Sequence, residues 1–95
     1  MEGTPLNELY ELISYRHEAE FTYKSKEYVL LPEDGYLIIQ ESAEQNDNPQ
    51  CLCRKKIPEI GDIPKNIIDA VFSEKCFDGK SFLEIEQDIT VTCIL

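Results

Sequence analysis

The side chains with the most reactive chemistry in this sequence are four cysteines, Cys51, Cys53, Cys76 and Cys93, and one histidine, His17. Four thiols and an imidazole suggest zinc. Structural zinc sites draw on a Cys-x2–4-Cys knuckle held in a tight turn. Here the spacing is Cys-x-Cys, inside the alternating stretch QCLCRKK. If that stretch is a strand, Cys51 and Cys53 point to one face from backbone positions ~6.8 Å apart. Around a tetrahedral zinc with Zn–S bonds of ~2.3 Å their sulfurs would have to lie ~3.8 Å apart, which would break the strand. Cys76 beside Phe77, and Cys93 among apolar alternators, read as small core hydrophobes. Neither metal nor any other cofactor is expected. The even number of cysteines would suit disulfides in an exported protein. The start MEGTPLNELYEL lacks both a basic segment and a continuous apolar run, so it does not read as an export signal. Reduced thiols in the cytoplasm are the expectation.

The same residues make a poor catalytic set. His17 falls at a helix C-terminus, where an imidazole is favoured by the negative end of the helix dipole, and no nucleophile lies beside it in the sequence. Glu33 with Asp34, and Glu84 with Glu86 and Asp88, fall in turns or on a solvated helix, where carboxylates are hydrated rather than paired for acid–base work. Gly35, Gly61 and Gly79 are isolated, and Gly79-Lys80-Ser81 matches only the tail of a phosphate-binding loop. No catalytic residue is proposed by any motif, and the protein is read as non-enzymatic.

Charge is the most unusual property of the chain. Nineteen acids face nine bases, for a formal net charge of −10; residues 1–50 hold eleven acids and three bases, residues 51–95 eight and six. Direct nucleic-acid binding needs a positive surface, and only Arg54, Lys55 and Lys56 cluster. Anionic membranes are disfavoured for the same reason, and no stretch approaches the ~20 apolar residues of a span. The acidity suits a soluble monomer or weak homodimer, or a surface that meets a basic partner.

The elements that must position these residues follow from periodicity. Thr4-Pro5 reads as the start of a helix, with Thr4 as the cap and Pro5 at the first helical position. Leu6, Leu9, Leu12 and Ile13 then share one helical face over residues 5–17. Glu8, Glu11 and Glu18 fall opposite, and these three acids are the candidate partner-binding residues. From Ala19 the period becomes two. EFTYKSKEYVLL reads as a hairpin across Lys24-Ser25, and Pro32 reads as the end of its second strand before the turn Glu33-Asp34-Gly35. YLIIQES is a third strand, AEQNDNP a loop, and QCLCRKK a fourth strand. IPEIGDIP is a connector anchored by Ile57, Ile60 and Ile63, and PKNIIDAVFSEK is a short second helix. SFLE is a capping box in which Ser81 and Glu84 open a third helix of about two turns. ITVTCIL is a final strand with Ile89, Val91, Cys93 and Leu95 inward. The fold class is therefore α+β in a single domain: an N-terminal amphipathic helix, an antiparallel sheet of about five strands, and two short helices before the last strand.

EFTYKSKEYVLL after a short acidic helix, and FDGKSFLEIEQDITV near the end, resemble patterns in small uncharacterised bacterial proteins, some carried on mobile elements. Those proteins show a Phe-x-Tyr-x-Gly-Lys-x-Tyr hairpin and a late Gly-Lys-Ser-Leu helix start. Ser25 stands here in the place of the hairpin glycine, and Phe82 in the place of the leucine. The resemblance covers about a third of the chain. It implies an α+β fold and a bacterial source, and it carries no activity. The expected function is that of a macromolecular interaction module that binds a basic partner. The rival expectation is a nucleic-acid mimic, an inhibitor whose carboxylates lie in a row and occupy a DNA- or RNA-binding groove.

Overall fold

The computed structural model describes residues 1–44 and 47–95. Gln45 and Asn46, within the expected loop AEQNDNP, lie outside the described residues. The order of elements is α1 (Leu6–Ser14), β1 (Ala19–Tyr23), β2 (Lys26–Glu33), β3 (Tyr36–Glu41), β4 (Cys51–Lys56), α2 (Lys65–Ser73), a 3-10 turn at Glu86–Asp88, and β5 (Thr90–Ile94). The five strands form one antiparallel sheet in the order β4-β3-β2-β1-β5, so the last strand joins the sheet beside the first. The α+β class is as expected from the sequence.

Several expected details are corrected. Helix α1 stops at Ser14 and does not reach His17. Arg16 takes a left-handed conformation (φ 68°), its amide donates to the Ile13 carbonyl and the His17 amide donates to the Leu12 carbonyl. This pair of bonds closes a helix in the way glycine usually does, here with an arginine. The Arg16 guanidinium offsets the backbone strain by donating from Nε to the Gly61 carbonyl at 2.8 Å. At the other end Pro5, not Thr4, holds the cap position, and no side chain caps the helix.

The β1–β2 turn uses Lys24 (φ 50°) and Ser25 (φ 65°), both left-handed, which gives the twist a two-residue hairpin needs without glycine or asparagine. Phe21 therefore pairs with Tyr28. Pro32 does not end β2: it pairs with Leu37, and the strand runs on to Glu33. A proline is tolerated there because β1 stops pairing at Leu30, leaving β2 a partner on one side only.

One face of the sheet and both helices enclose the core. Phe21, Leu30, Leu37, Ile39 and Val91 from the strands meet Leu9 and Ile13 of α1 and Ile68, Val71 and Phe72 of α2. Ile57 and Ile63 anchor the connector, but Ile60 points to solvent and is 86% exposed. The third helix is absent as such: residues 82–85 are turns leading into the 3-10 segment. The capping box is nevertheless present. The Ser81 amide donates to Glu84 Oε1 at 3.0 Å and the Glu84 amide donates to Ser81 Oγ at 3.2 Å. One α-type turn follows, from the Ile85 amide to the Ser81 carbonyl.

The Ser81–Glu84 pair makes a measurable prediction. Ser81→Ala removes the hydroxyl acceptor and leaves the Glu84 amide only its bond to the Ser81 carbonyl at 3.1 Å, and a loss of about 1 kcal/mol is expected in chemical denaturation. The Glu84 carboxyl is held at about 2, chiefly by the Lys75 ammonium at 2.8 Å and then by the Ser81 amide. Its folded value lies below its ordinary 4.5, so its contribution to stability is present above pH 4.5 and is lost as the pH falls towards 2. Carboxyl chemical shifts followed by NMR should give Glu84 a midpoint well below 4.5; a midpoint near 4.5 would exclude the pairing.

Candidate functional site

The face of the sheet away from the helices carries the most distinctive surface. Strand alternation sends Glu20 and Thr22 of β1, Glu27, Val29 and Leu31 of β2, Tyr36, Ile38 and Gln40 of β3, and Arg54 and Lys56 of β4 to this side. Leu31 pairs with Ile38, and Ile38 pairs in turn with Arg54. Ile38 is 6% exposed yet stands apart from the helix-side core. With half-buried Val29 and Leu31 it forms an apolar centre on a face where an antiparallel sheet usually presents polar groups to water.

The rim around this centre is divided by charge. Beside β1 and β5 lies a depression of about 260 Å³ lined by Glu20, Glu27 and Glu44 together with Ser42 and Thr92. Towards β4 the Arg54 guanidinium stacks over the Tyr36 ring, 4.6 Å from its centroid. Arg54 and Tyr36 also line a second depression of about 230 Å³ with Glu33 and Asp34.

Two bulges shape this face. Between Ile39 and Gln40 the register with β4 steps from Cys53 to Cys51, and between Phe21 and Glu20 the register with β5 steps from Val91 to Cys93. Each bulge reverses the alternation beyond it. Cys51 and Cys53 consequently do not share a face: Cys53 is buried in the core, while Cys51 is exposed on the rim beside Gln40. In β5, Cys93 pairs with Glu20 and lines the acidic depression, Ile94 packs on the core, and Leu95 is 62% exposed. The expected inward set Ile89, Val91, Cys93 and Leu95 is thus right for its first two members only.

The candidate acids of the first helix are separated. Glu8 and Glu11 are exposed on α1, in the helical layer and across the core from the open sheet face. Glu18 lies past the end of α1, in extended backbone that exchanges two hydrogen bonds with Leu95. The sequence reading missed Glu20, Glu27 and Glu44 as a group. The alternation of Glu20 and Glu27 was visible, but their convergence with Glu44 depends on the β1–β2 register and on the path of the chain after β3.

The remaining reactive groups are tied into structure. His17 Nδ1 lies 3.2 Å from the Leu95 carbonyl. The Tyr10 hydroxyl donates to Asp69 at 2.6 Å, joining α1 to α2, and burial together with that carboxylate pushes the phenol well above its ordinary range. Glu86 accepts from the Met1 amino group at 2.8 Å. Among the described residues, no group of three His, Cys, Asp or Glu side chains converges as metal ligands would, and no helix is long and apolar enough to cross a membrane. Comparison with family models, curated proteins and solved structures finds no match.

Proposed function

We propose that the chain is a non-enzymatic interaction module that binds a basic protein through the open face of its sheet. The observation that carries this reading is the apolar centre of Val29, Leu31 and Ile38 bordered by the carboxylates of Glu20, Glu27 and Glu44. A dehydrated apolar centre inside a polar rim is the usual anatomy of a protein interface. The acids set the sign of the partner: lysine or arginine side chains enter the depression while an apolar residue packs on half-buried Val29 and Leu31, with Ile38 already buried beneath them. Glu44 is exposed and Glu20 and Glu27 are half-buried; surface carboxylates act mainly on association, so binding is fast at low salt and weakens as salt rises. A nucleic-acid mimic is less well served by this surface. It needs its acids in one unbroken row, whereas Glu8 and Glu11 lie in the helical layer and Arg54 and Lys56 interrupt the open face.

The test compares two acidic surfaces. Immobilised parent chain should capture a basic protein from an extract of the source organism at low salt and release it at high salt. The variant Glu20→Gln/Glu27→Gln/Glu44→Gln should lose that capture by about tenfold or more, the equivalent of ~1.4 kcal/mol. The variant Glu8→Gln/Glu11→Gln should retain it. The opposite pattern would move the interface to α1, and capture unaffected by either variant would reduce both acidic surfaces to a solubilising role.

A further inference from the structure

The helix side of the sheet holds a cavity of about 220 Å³ beside the β1–β2 turn, and no residue of either helix lines it. Strand register builds one wall. Lys26 pairs with Tyr23 across the hairpin, Glu41 pairs with Tyr28 across β2 and β3, and paired residues project to the same face. A tight turn after α2 supplies the rest. The Phe77 amide donates to the Lys80 carbonyl at 2.9 Å, and the Lys80 amide donates back to the Phe77 carbonyl at 3.1 Å. Asp78 (φ 53°) and Gly79 (φ 83°) take the two left-handed positions between them. Phe77 is thereby held nearly perpendicular to the ring of Tyr23, at 5.8 Å, and to that of Tyr28, at 5.4 Å.

Tyr23 and Tyr28 are only 8% and 7% exposed, yet neither hydroxyl finds a hydrogen-bond partner among the described residues. No fully enclosed side-chain oxygen or nitrogen among those residues goes unpaired, so both hydroxyls reach accessible space. On the helix side the space that both tyrosines line is this cavity. A hydroxyl drawn out of water without a partner costs free energy, so each phenol has a bond left for whatever fills the cavity. The surrounding charges set the sign of the occupant. The lining has two acids, Glu41 and Asp78, against one base, Lys26. Glu41 Oε1 accepts from the Gln50 amide at 3.1 Å, which ties that carboxylate to the start of β4. Burial, and then the Glu41 and Asp78 carboxylates, push the Tyr28 phenol above its ordinary range. Aromatic rings favour the same sign of charge, as the Lys24 ammonium 5.4 Å from the Tyr23 centroid illustrates.

We propose that this cavity binds a small organic cation, an alkylammonium or alkylguanidinium, whose N–H groups donate to the phenol oxygens of Tyr23 and Tyr28 and to the Asp78 carboxylate while its apolar stem lies against the aromatic wall. An anion of the same size would meet two carboxylates and a single ammonium. A neutral apolar molecule would leave both phenols without a partner. A few polar groups on a mostly aromatic wall are the usual make-up of a small-molecule site. The cavity lies across the sheet from Val29, Leu31 and Ile38, so it is independent of the interface proposed for the open face.

The experiment titrates the full chain with n-butylammonium, n-butanol and butyrate at constant ionic strength and follows amide chemical shifts by NMR. n-Butylammonium should give saturable shifts centred on Tyr28, Glu41, Asp78 and Gly79, with an affinity about fivefold or more above that of n-butanol and of butyrate. Two variants then test the named contacts. Tyr28→Phe keeps the ring and removes the hydroxyl; Asp78→Asn removes the charge and suits the left-handed position. Each should weaken n-butylammonium binding by about threefold or more. Should either variant lose its spectral dispersion, the three probes on the parent decide the matter. Equal binding of n-butanol would reduce the site to an apolar cleft, and stronger binding of butyrate would give the choice of ligand to Lys26; either result overturns the proposal. So would the absence of saturable shifts around the cavity, or folded variants that both bind as the parent does.

Discussion

Replacing Phe82 by alanine is expected to destabilise the fold by about 3–5 kcal/mol, the usual range for deleting a fully buried aromatic ring. Phe82 has no exposed surface. Its ring stacks on Phe72 of α2 at 4.4 Å and meets the edge of Phe21 in β1 at 5.4 Å, so it joins the helical layer to the sheet. Phe21 continues the cluster to Tyr28 at 5.4 Å and Phe77 at 6.3 Å. A chain of 95 residues has a total stability of about 5–14 kcal/mol, so this one change removes a large share of it. Denaturant titration should show the midpoint falling with the slope preserved. A loss of less than about 1 kcal/mol would mean that the surrounding rings collapse into the space, and Phe82 would not be the joint between the two layers.

Removal of residues 90–95 is expected to abolish cooperative unfolding altogether. Strand β5 covers the outer edge of β1, contributes buried Val91 and partly buried Ile94, and holds Glu2 through a bond from the Val91 amide to its carbonyl. Each apolar side chain is worth roughly 1.5–3 kcal/mol when buried, and each backbone bond roughly 0.5–1.5 kcal/mol net. The sum is of the same order as the stability of the whole domain. Circular dichroism and NMR dispersion report the outcome directly; a shortened chain that melts sharply near the parent temperature would contradict it.

What the sequence made legible is explained by local periodicity, and what it hid depends on tertiary contacts. The helical spacing of Leu6, Leu9 and Ile13 and the alternation through EFTYKSKEYVLL place α1 and the first hairpin correctly. The early stop of α1 was hidden because Arg16, and not glycine, takes the left-handed position, held by carbonyls that approach only in the folded chain. QCLCRKK and ITVTCIL read as strands and are strands, but a bulge leaves residue types unchanged while reversing the side they face. The apolar runs around Val29, Leu31 and Ile38 do not tell which sides of the strands are covered. Only the positions of the helices reveal that one of those sides is open. Phe82 lay in a stretch read as a capped helix, where its place at the joint between helices and sheet could not be inferred from spacing.

The position of the two bulges bears on self-assembly. The segments with the strongest tendency to stack as fibrils are YVLL of β2 and YLII of β3, with their high β-propensity and lack of charge. Both are interior strands, already hydrogen-bonded on each side along most of their length. The strands that face outward, β4 and β5, are the two that carry the extra residue of a bulge. An irregular edge cannot template a flat, in-register neighbour, and Arg54, Lys55 and Lys56 add like-charge repulsion between copies approaching along β4. Deleting Leu52 or Thr92 would straighten an edge, and such a chain would be expected to polymerise under conditions in which the parent stays dispersed.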